Sequence, residues 1–382
     1  MSATHEVFNQ VPPYEGHDVA ADAALLEAVE REGAGWALDE IHEVGRLSGS
    51  AEYQQLGRLA ERNQPRLLTH DRYGHRIDEV EYDPSYHQLM RTAVEHGIHA
   101  APWADDRPGA HVARAAKEMV WTVDAGHVCP ISMTYAVVPA LRANPELAAR
   151  FEPLLTSKVY DFGLRDPDTK QGLIAGMSMT EKQGGSDVRA NTTIATPQTD
   201  GTYALVGHKW FTSAPMSDFF LTLAQAPGGL SCFLVPRVLP GGERNAIALM
   251  RLKEKLGNKS NASSEIEYDG ALGWLVGEEG RGVRTIVEMV NMTRLDCVIG
   301  TTSGMRLGLT RAAHQVTHRA AFGKQLIDQP LMRAVLADLA VETEAATVAM
   351  MRLAGAHDRS VHGDENEAAL RRLALAATKY YV

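Results

Sequence analysis

The stretch 172–193, GLIAGMSMTEKQGGSDVRANTT, decides how this chain is read. Its first eight residues are an apolar run with strand character, and β-branched residues resume at Thr192, Thr193 and Ile194. Between the two stands Gln183-Gly184-Gly185-Ser186. Paired glycines can adopt positive φ and expose main-chain N–H groups. With the hydroxyls of Ser186 and Thr180 beside them, they form a concavity suited to a phosphate or pyrophosphate. The same residues also suit an ordinary hairpin turn, so the stretch alone leaves both readings open.

On either side of this turn the hydrophobic period changes. From Ala21 to about Pro167, apolar residues recur at three and four, as in His87–His99 and Val112–Val123, with breaks at Pro84, Pro102, Pro108 and Pro145. Between about Lys170 and Trp274 the period is two, and Tyr203–Phe211, Phe219–Ala226 and Leu230–Pro236 read as strands. Helical spacing returns over Arg284–His318, Leu331–Ala354 and Glu365–Tyr381. The expected class is α+β in three segments: a helical domain over 1–168, a small β-barrel or sheet domain over 169–276, and a helical bundle over 277–382. The last helix stops mid-pattern at Val382 without a Gly, Asn or Pro exit signal. The chain therefore reads as truncated.

A chain of 382 residues with 45% hydrophobic and 23% charged residues can build a sizeable core, which excludes disorder and fibres. A net charge of −10 argues against nonspecific nucleic-acid binding by this stretch. Cys129, Cys232 and Cys297 are far apart and form no C-x-x-C, as suits a reducing compartment. Neither a secretory signal nor a membrane-spanning run is apparent, so the expected location is the cytoplasm. Gly277, Gly280 and Gly282 lack the β-α-β setting of a dinucleotide fold. His314 and His318 stand one helical turn apart with no third ligand in view, and no metal is expected.

Five ordered motifs carry a resemblance. Thr180–Asp187 (TEKQGGSD) resembles the T-E-P-x-A-G-S-D of acyl-CoA dehydrogenases, with Lys182 at the proline. Gly207–Ser213 (GHKWFTS) resembles G-x-K-x-W-I-T. Lys255-Leu256-Gly257, Leu275–Gly282 and Arg319–Lys324 resemble K-M-G, L-G-E-E-G-x-G and R-x-x-F-G-K. The wording MTEKQGGSD, LSCFLVPR and KLGNKSNASSE is similar to the AidB-like, alkylation-response branch, and the likeness runs from about Val7 to the end.

The resemblance implies FAD as cofactor, held by Met177, Met179, Thr180, Gly184, Gly185, Ser186, Phe211, Thr212, Ser213 and Phe322, with Arg319 reaching a neighbouring subunit's FAD. On period alone, Phe211 also reads as β-domain core and Arg319 as a surface residue at a helix end. Both readings stay open. Arg294 matches the family's arginine at the CoA-facing mouth, although the acid three residues before it is Asn291. Most of the family carry the catalytic Glu beyond the point where this chain ends. A minority carry it at the position of Thr293, which cannot serve as a base, so the catalytic residue is unknown. The branch implies a homotetramer with weak or vestigial dehydrogenation of an acyl-CoA or related substrate. The alternative it implies is a DNA-alkylation stress protein, its flavin structural or protective and its basic DNA-binding domain outside this stretch.

Overall fold

The computed structural model describes residues 4–382. Its helices are α1 Ala23–Arg31, α2 Leu38–Gly49, α3 Ala51–Arg62, α4 Pro84–Glu95, α5 Ala110–Val120, α6 Val128–Leu141, α7 Pro145–Leu155, α8 Gly282–His318, α9 Pro330–Val361 and α10 Glu365–Tyr381. The longer strands are β1 Arg66–His70, β2 Arg76–Glu81, β3 Ala175–Ser178, β4 Ile194–Pro197, β5 Tyr203–Ser213, β6 Phe219–Ala226, β7 Gly229–Pro236, β8 Ile247–Leu252 and β9 Ser263–Val276. The order is α, then β, then α. The helical first segment also contains the β1–β2 hairpin, which periodicity did not single out. Its turn, Asp71–Gly74, is closed by the Asp71 carboxylate accepting from the N–H groups of Tyr73 and His75 at 2.8 and 2.9 Å.

Contacts divide the chain into two compact units. One comprises 55–106 and 124–294. Here β5 pairs with β9, β9 with β7, β7 with β6, and β6 with β3 and β4, both of which return to β5, so six of the seven strands close on themselves. Closure leaves few exposed strand edges. β8 extends the sheet beside β9, and the β1–β2 hairpin packs against β8. The core joins α6 and α7 to the barrel through Tyr135, Phe151, Phe219, Leu221 and Leu234, with the rings of Phe151 and Phe219 5.5 Å apart. Burial of such side chains stabilises by roughly 1.5–3 kcal/mol each.

The other unit comprises 4–54, 107–123 and 295–382. α9 packs against α1, α5 and α10. Asp22 caps α1, and Asp364 caps α10 by accepting from the N–H groups of Asn366 and Glu367 at 2.9 and 3.1 Å. The start of α5 has no local cap. Asp358 of α9 supplies one from 249 residues away, accepting from Gly109 N at 2.8 Å, and it also accepts from His111 N at 3.0 Å. Buried Arg114 meets Asp296 through both amino groups and Glu118 at 2.8 Å.

Candidate functional site

β5 sets the site's geometry. Its register against β9 runs Lys209↔Ile266 and then Thr212↔Ser264, so three residues on β5 face two on β9. This bulge at Trp210 and Phe211 resets the inward alternation. Lys209 points into the barrel, Thr212 does so next, and Phe211 is turned out, 49% exposed. Phe211 is therefore not a core residue. Simple alternation would have buried it, and the bulge is the reason it does not.

The glycine turn lies against this bulge. Trp210 N donates to Thr180 O at 2.7 Å, and the hydroxyls of Ser178 and Thr212 bond to each other where β3 meets β5. Gly184 sits at φ +131°, and a Cβ on Gly185 would lie 2.6 Å from Thr180 Oγ1. Gly185 is thus where the main chain closes on the Thr180 hydroxyl, and any side chain there would displace that hydroxyl or the turn. Thr180 and Ser213 are half-buried and Ser186 is exposed. Thr212 is buried with its hydroxyl on Ser178, and half-buried Met177 and Met179 pack on the core. Their main chain is engaged within the barrel: Thr212 O accepts from Ser264 Oγ at 3.0 Å, Met179 O accepts from Asn191 Nδ2 at 2.9 Å, and Met177 pairs with Leu221 of β6.

A buried carboxylate holds the turn in place. Glu181 accepts from Lys209 Nζ at 2.9 Å, from the N–H and hydroxyl of Thr192 at 2.7 and 3.0 Å, from those of Thr193 at 3.1 and 2.6 Å, and from Gln183 Nε2 at 2.9 Å. Burial pushes the Glu181 carboxyl up, but these donors outweigh it and hold the group well below the usual carboxylate range. Burial pulls the Lys209 ammonium down, against the opposing pull of Glu181. Lys209 also donates to Leu223 O at 2.7 Å. Sequence reading passed over both residues. The available signal was Lys209 at an inward position of a strand, since a buried charge requires a partner.

Trp210, also passed over, carries a cationic shelf. Lys253 Nζ lies 3.4 Å from its ring centroid and 4.5 Å from that of Phe211, and pairs with Glu265 at 2.6 Å. Arg251 pairs with the same carboxylate at 2.6 Å.

The remaining candidates lie elsewhere in the chain. Arg294 is half-buried on α8 and donates to Asn291 Oδ1 at 3.2 Å, while the Thr293 hydroxyl donates to Val290 O at 3.0 Å. Arg319 is exposed at the end of α8. It precedes a short ladder, Ala320–Ala321 with Lys324–Gln325, whose two-residue turn has Phe322 at φ +54° and Gly323 at φ +76°. Phe322 is 98% exposed. Glu279, read from sequence as a solvent-facing charge, accepts from Tyr203 Oη at 2.9 Å and Gly228 N at 2.5 Å. Among the described residues, no group of three or more His, Cys, Asp or Glu is placed to hold a metal.

Residues 9–162 match the adaptive response protein AidB N-terminal domain, 176–271 the acyl-CoA dehydrogenase middle domain, and 280–382 the acyl-CoA dehydrogenase C-terminal domain. Over 386 aligned residues the chain is 49% identical to AidB of Escherichia coli (strain K12), which carries an acyl-CoA dehydrogenase name; this covers 99% of the chain and 70% of that protein.

The chain belongs to the acyl-CoA dehydrogenase family.

Within that family of FAD-dependent oxidoreductases it falls in the AidB-like branch. It is also 33% identical to acyl-CoA dehydrogenase family member 11 of Caenorhabditis elegans, over 87% of the chain and 56% of that protein. The crystal structure of C. elegans ACDH-11 in complex with C11-CoA superposes with a TM-score of 0.89 at 30% identity, covering all of this chain and 67% of that one. A structure described as the Bd2924 apo-form gives 0.89 at 29% identity, covering 98% and 77%. FAD fits the residues present. The turn is exposed at Gly184, Gly185 and the Ser186 hydroxyl, with the Gly184 N–H donating to Glu181 O at 3.0 Å, and the exposed Phe211 ring stands on the strand that carries Ser213 and bonds to Thr180.

Proposed function

We propose that this acyl-CoA dehydrogenase relative binds FAD at the turn 180–186 and the end of β5, and oxidises an acyl-CoA or related thioester weakly or not at all. The supporting observation is the β5 bulge, which exposes Phe211 beside a glycine turn fixed to the same strand by the Trp210–Thr180 hydrogen bond. FAD, when bound, would supply the hydride acceptor for the β carbon of such a substrate. Gly184, Gly185 and Ser186 would hold its pyrophosphate, Phe211 would pack on its ring system, and Thr180 and Ser213 would orient it by hydrogen bonds. Met177, Met179 and Thr212 would line the site from the end of β3 and from β5. Arg319 would supply a guanidinium to the pyrophosphate of a neighbouring subunit, with exposed Phe322 beside it. Arg294 would face the thioester ligand. The relative crystallised with C11-CoA supports an acyl-CoA as that ligand.

Removal of the α proton requires a positioned base. Thr293, with its hydroxyl on a main-chain carbonyl, supplies none, and no catalytic residue is assigned. A second reading is a flavoprotein of the alkylation response whose flavin is structural or protective, with DNA contacted only through segments outside this stretch; the match of residues 9–162 to the adaptive response protein AidB N-terminal domain supports it.

We place the helical, β and helical domains at 1–168, 169–276 and 277–382, and the protein as a cytoplasmic homotetramer. Leu331, Val335 and Leu339 lie exposed at four-residue intervals along α9, Leu331 by 80%. Such a stripe supports association through the C-terminal helices.

The test is to purify the protein, record its visible spectrum, identify the released chromophore, and titrate it anaerobically with acyl-CoA thioesters. Flavin bands from FAD and slow, partial bleaching support the first reading. FAD that no thioester bleaches supports the second. A folded protein that takes up no added FAD overturns both.

A further inference from the structure

Residues 9–19 form a segment without regular secondary structure that ties α2 to the far end of α8, within one compact unit. On α2 it rests on two glycines. Gly16 N donates to Gly49 O at 2.7 Å and Val19 N to Gly45 O at 3.2 Å, and a Cβ on Gly49 would lie 1.9 Å from His17 O. Any side chain at 49 would lift the segment off the helix. At the other end Asn9, at φ +60°, imitates a strand partner: its Oδ1 accepts from Ala320 N at 2.7 Å and its Nδ2 donates to Ala320 O at 2.8 Å. Ala320 follows Arg319 and opens the ladder whose turn carries Phe322, so the segment holds that hairpin by its base.

Between these two attachments lies a row of rings. Tyr14 stacks on His17 with centroids 4.0 Å apart and tilts against His314 at 4.8 Å, and His314 and His318 are 4.3 Å apart. His314 Nε2 donates to Pro12 O at 2.8 Å and His318 Nδ1 to His314 O at 2.8 Å, bonds that either ring makes whether neutral or protonated. His17 differs. Its Nδ1 is buried with no hydrogen-bond partner among the described residues. In the neutral ring that atom is an acceptor without a partner; in the protonated ring it is a charged donor without one, which costs more. The charged and titratable groups facing His17 are Asp18 beside it and His314 and Arg311 from α8, while His42 and Arg46 of α2 meet Asp18 at 2.7 and 3.9 Å. Burial, joined by His314 and Arg311, outweighs Asp18 and holds the His17 ring below its ordinary 6.5. The stability that the neutral ring supplies is therefore present above that value and lost as pH falls below it.

We propose that the segment 9–19 is an acid-released latch on the 319–325 hairpin: with His17 neutral it stays fixed to Gly49 and Ala320, and proton uptake by the stacked histidines lifts it and frees the hairpin. In acid, Arg319 would then hold a neighbouring subunit's FAD less tightly. That consequence rests on the role proposed for Arg319, and the latch itself does not.

The experiment is amide hydrogen exchange of the full chain at about pH 5.5 and 7.5, corrected for intrinsic rates and read at Gly16 and Ala320, with the amides of β6 as control. The expected result is that protection at both amides falls roughly tenfold or more in acid while β6 keeps its own. His17→Phe keeps the ring stack and takes up no proton, and it should shrink that fall severalfold. Should His17→Phe not fold, His314→Gln, which keeps a donor for Pro12 O and removes one facing charge, decides by the same reduction. Protection that is indifferent to pH, that falls equally in β6, or whose fall these variants leave intact overturns the proposal. FAD affinity over the same range separates the two claims: release in acid with unchanged FAD binding supports the latch and removes Arg319 from the flavin site.

Discussion

Glu181 and Lys209 meet at 2.9 Å with neither side chain reaching solvent, and they join the glycine turn to the strand that carries Phe211. Removing one member of a buried pair leaves the other charge uncompensated, which costs about 3–5 kcal/mol. Lys209→Met and Glu181→Gln should each destabilise the fold by that order in denaturant unfolding. The double variant should lose less than the sum of the two, because no lone charge remains. Additive losses would show that the pair is not coupled.

The same carboxylate gives a pH signature. Its folded pKa lies below the ordinary value of 4.5, so its contribution is present above that value and is lost as pH falls below it. Asp218 behaves in the opposite sense. Burial, only partly offset by Lys170 at 2.5 Å, raises its pKa from 3.8 to about 6. The folded state then binds more protons than the unfolded state between those values, and the stability from Asp218 is lost as pH rises through about 6. Unfolding measured from pH 4 to 7 should show a falling component that Asp218→Asn removes. An unchanged slope in that variant would reject the assignment.

The segment order, the strands 219–226 and 229–236, and α10 follow from hydrophobic period, because each is long or evenly alternating and its ends carry turn or cap residues. The site was less legible for three physical reasons. A charged residue beside a glycine turn usually lies in solvent, so Glu181 drew no notice although it is fully buried. A bulge cannot be read from residue alternation, so Phe211 stayed poised between core and ligand until the β5–β9 register was known. Long-range caps leave no local trace: nothing near Gly109 announces that Asp358 will complete the start of α5. The β1–β2 hairpin was hidden by its charged, half-exposed strands, although Asp71 and Gly74 gave a turn signal.

Gly185→Ala tests the concavity without touching the buried pair. The new methyl would stand 2.6 Å from Thr180 Oγ1, so the hydroxyl or the turn must shift. The expected result is a loss of FAD affinity of about tenfold or more, with unfolding changed by under about 1 kcal/mol because the turn is solvent-facing. Equal flavin content in the variant and the parent protein would remove Gly185 from the site.

Phe211 offers the clearest separation of ligand contact from packing. An exposed aromatic on a bulge contributes little to the fold, so Phe211→Ala should change unfolding by no more than about 0.5 kcal/mol. If the ring packs on the flavin, the same change should weaken FAD binding by about 1 kcal/mol or more, the order of a stacked aromatic contact. It should also alter quenching of flavin fluorescence. Phe211→Trp keeps a flat ring and should retain FAD, with a shifted visible band. Titration of the stripped proteins with FAD reads all three effects. A Phe211→Ala variant that binds FAD as the parent does would move the ring system away from the β5 bulge and leave only the glycine turn as its anchor.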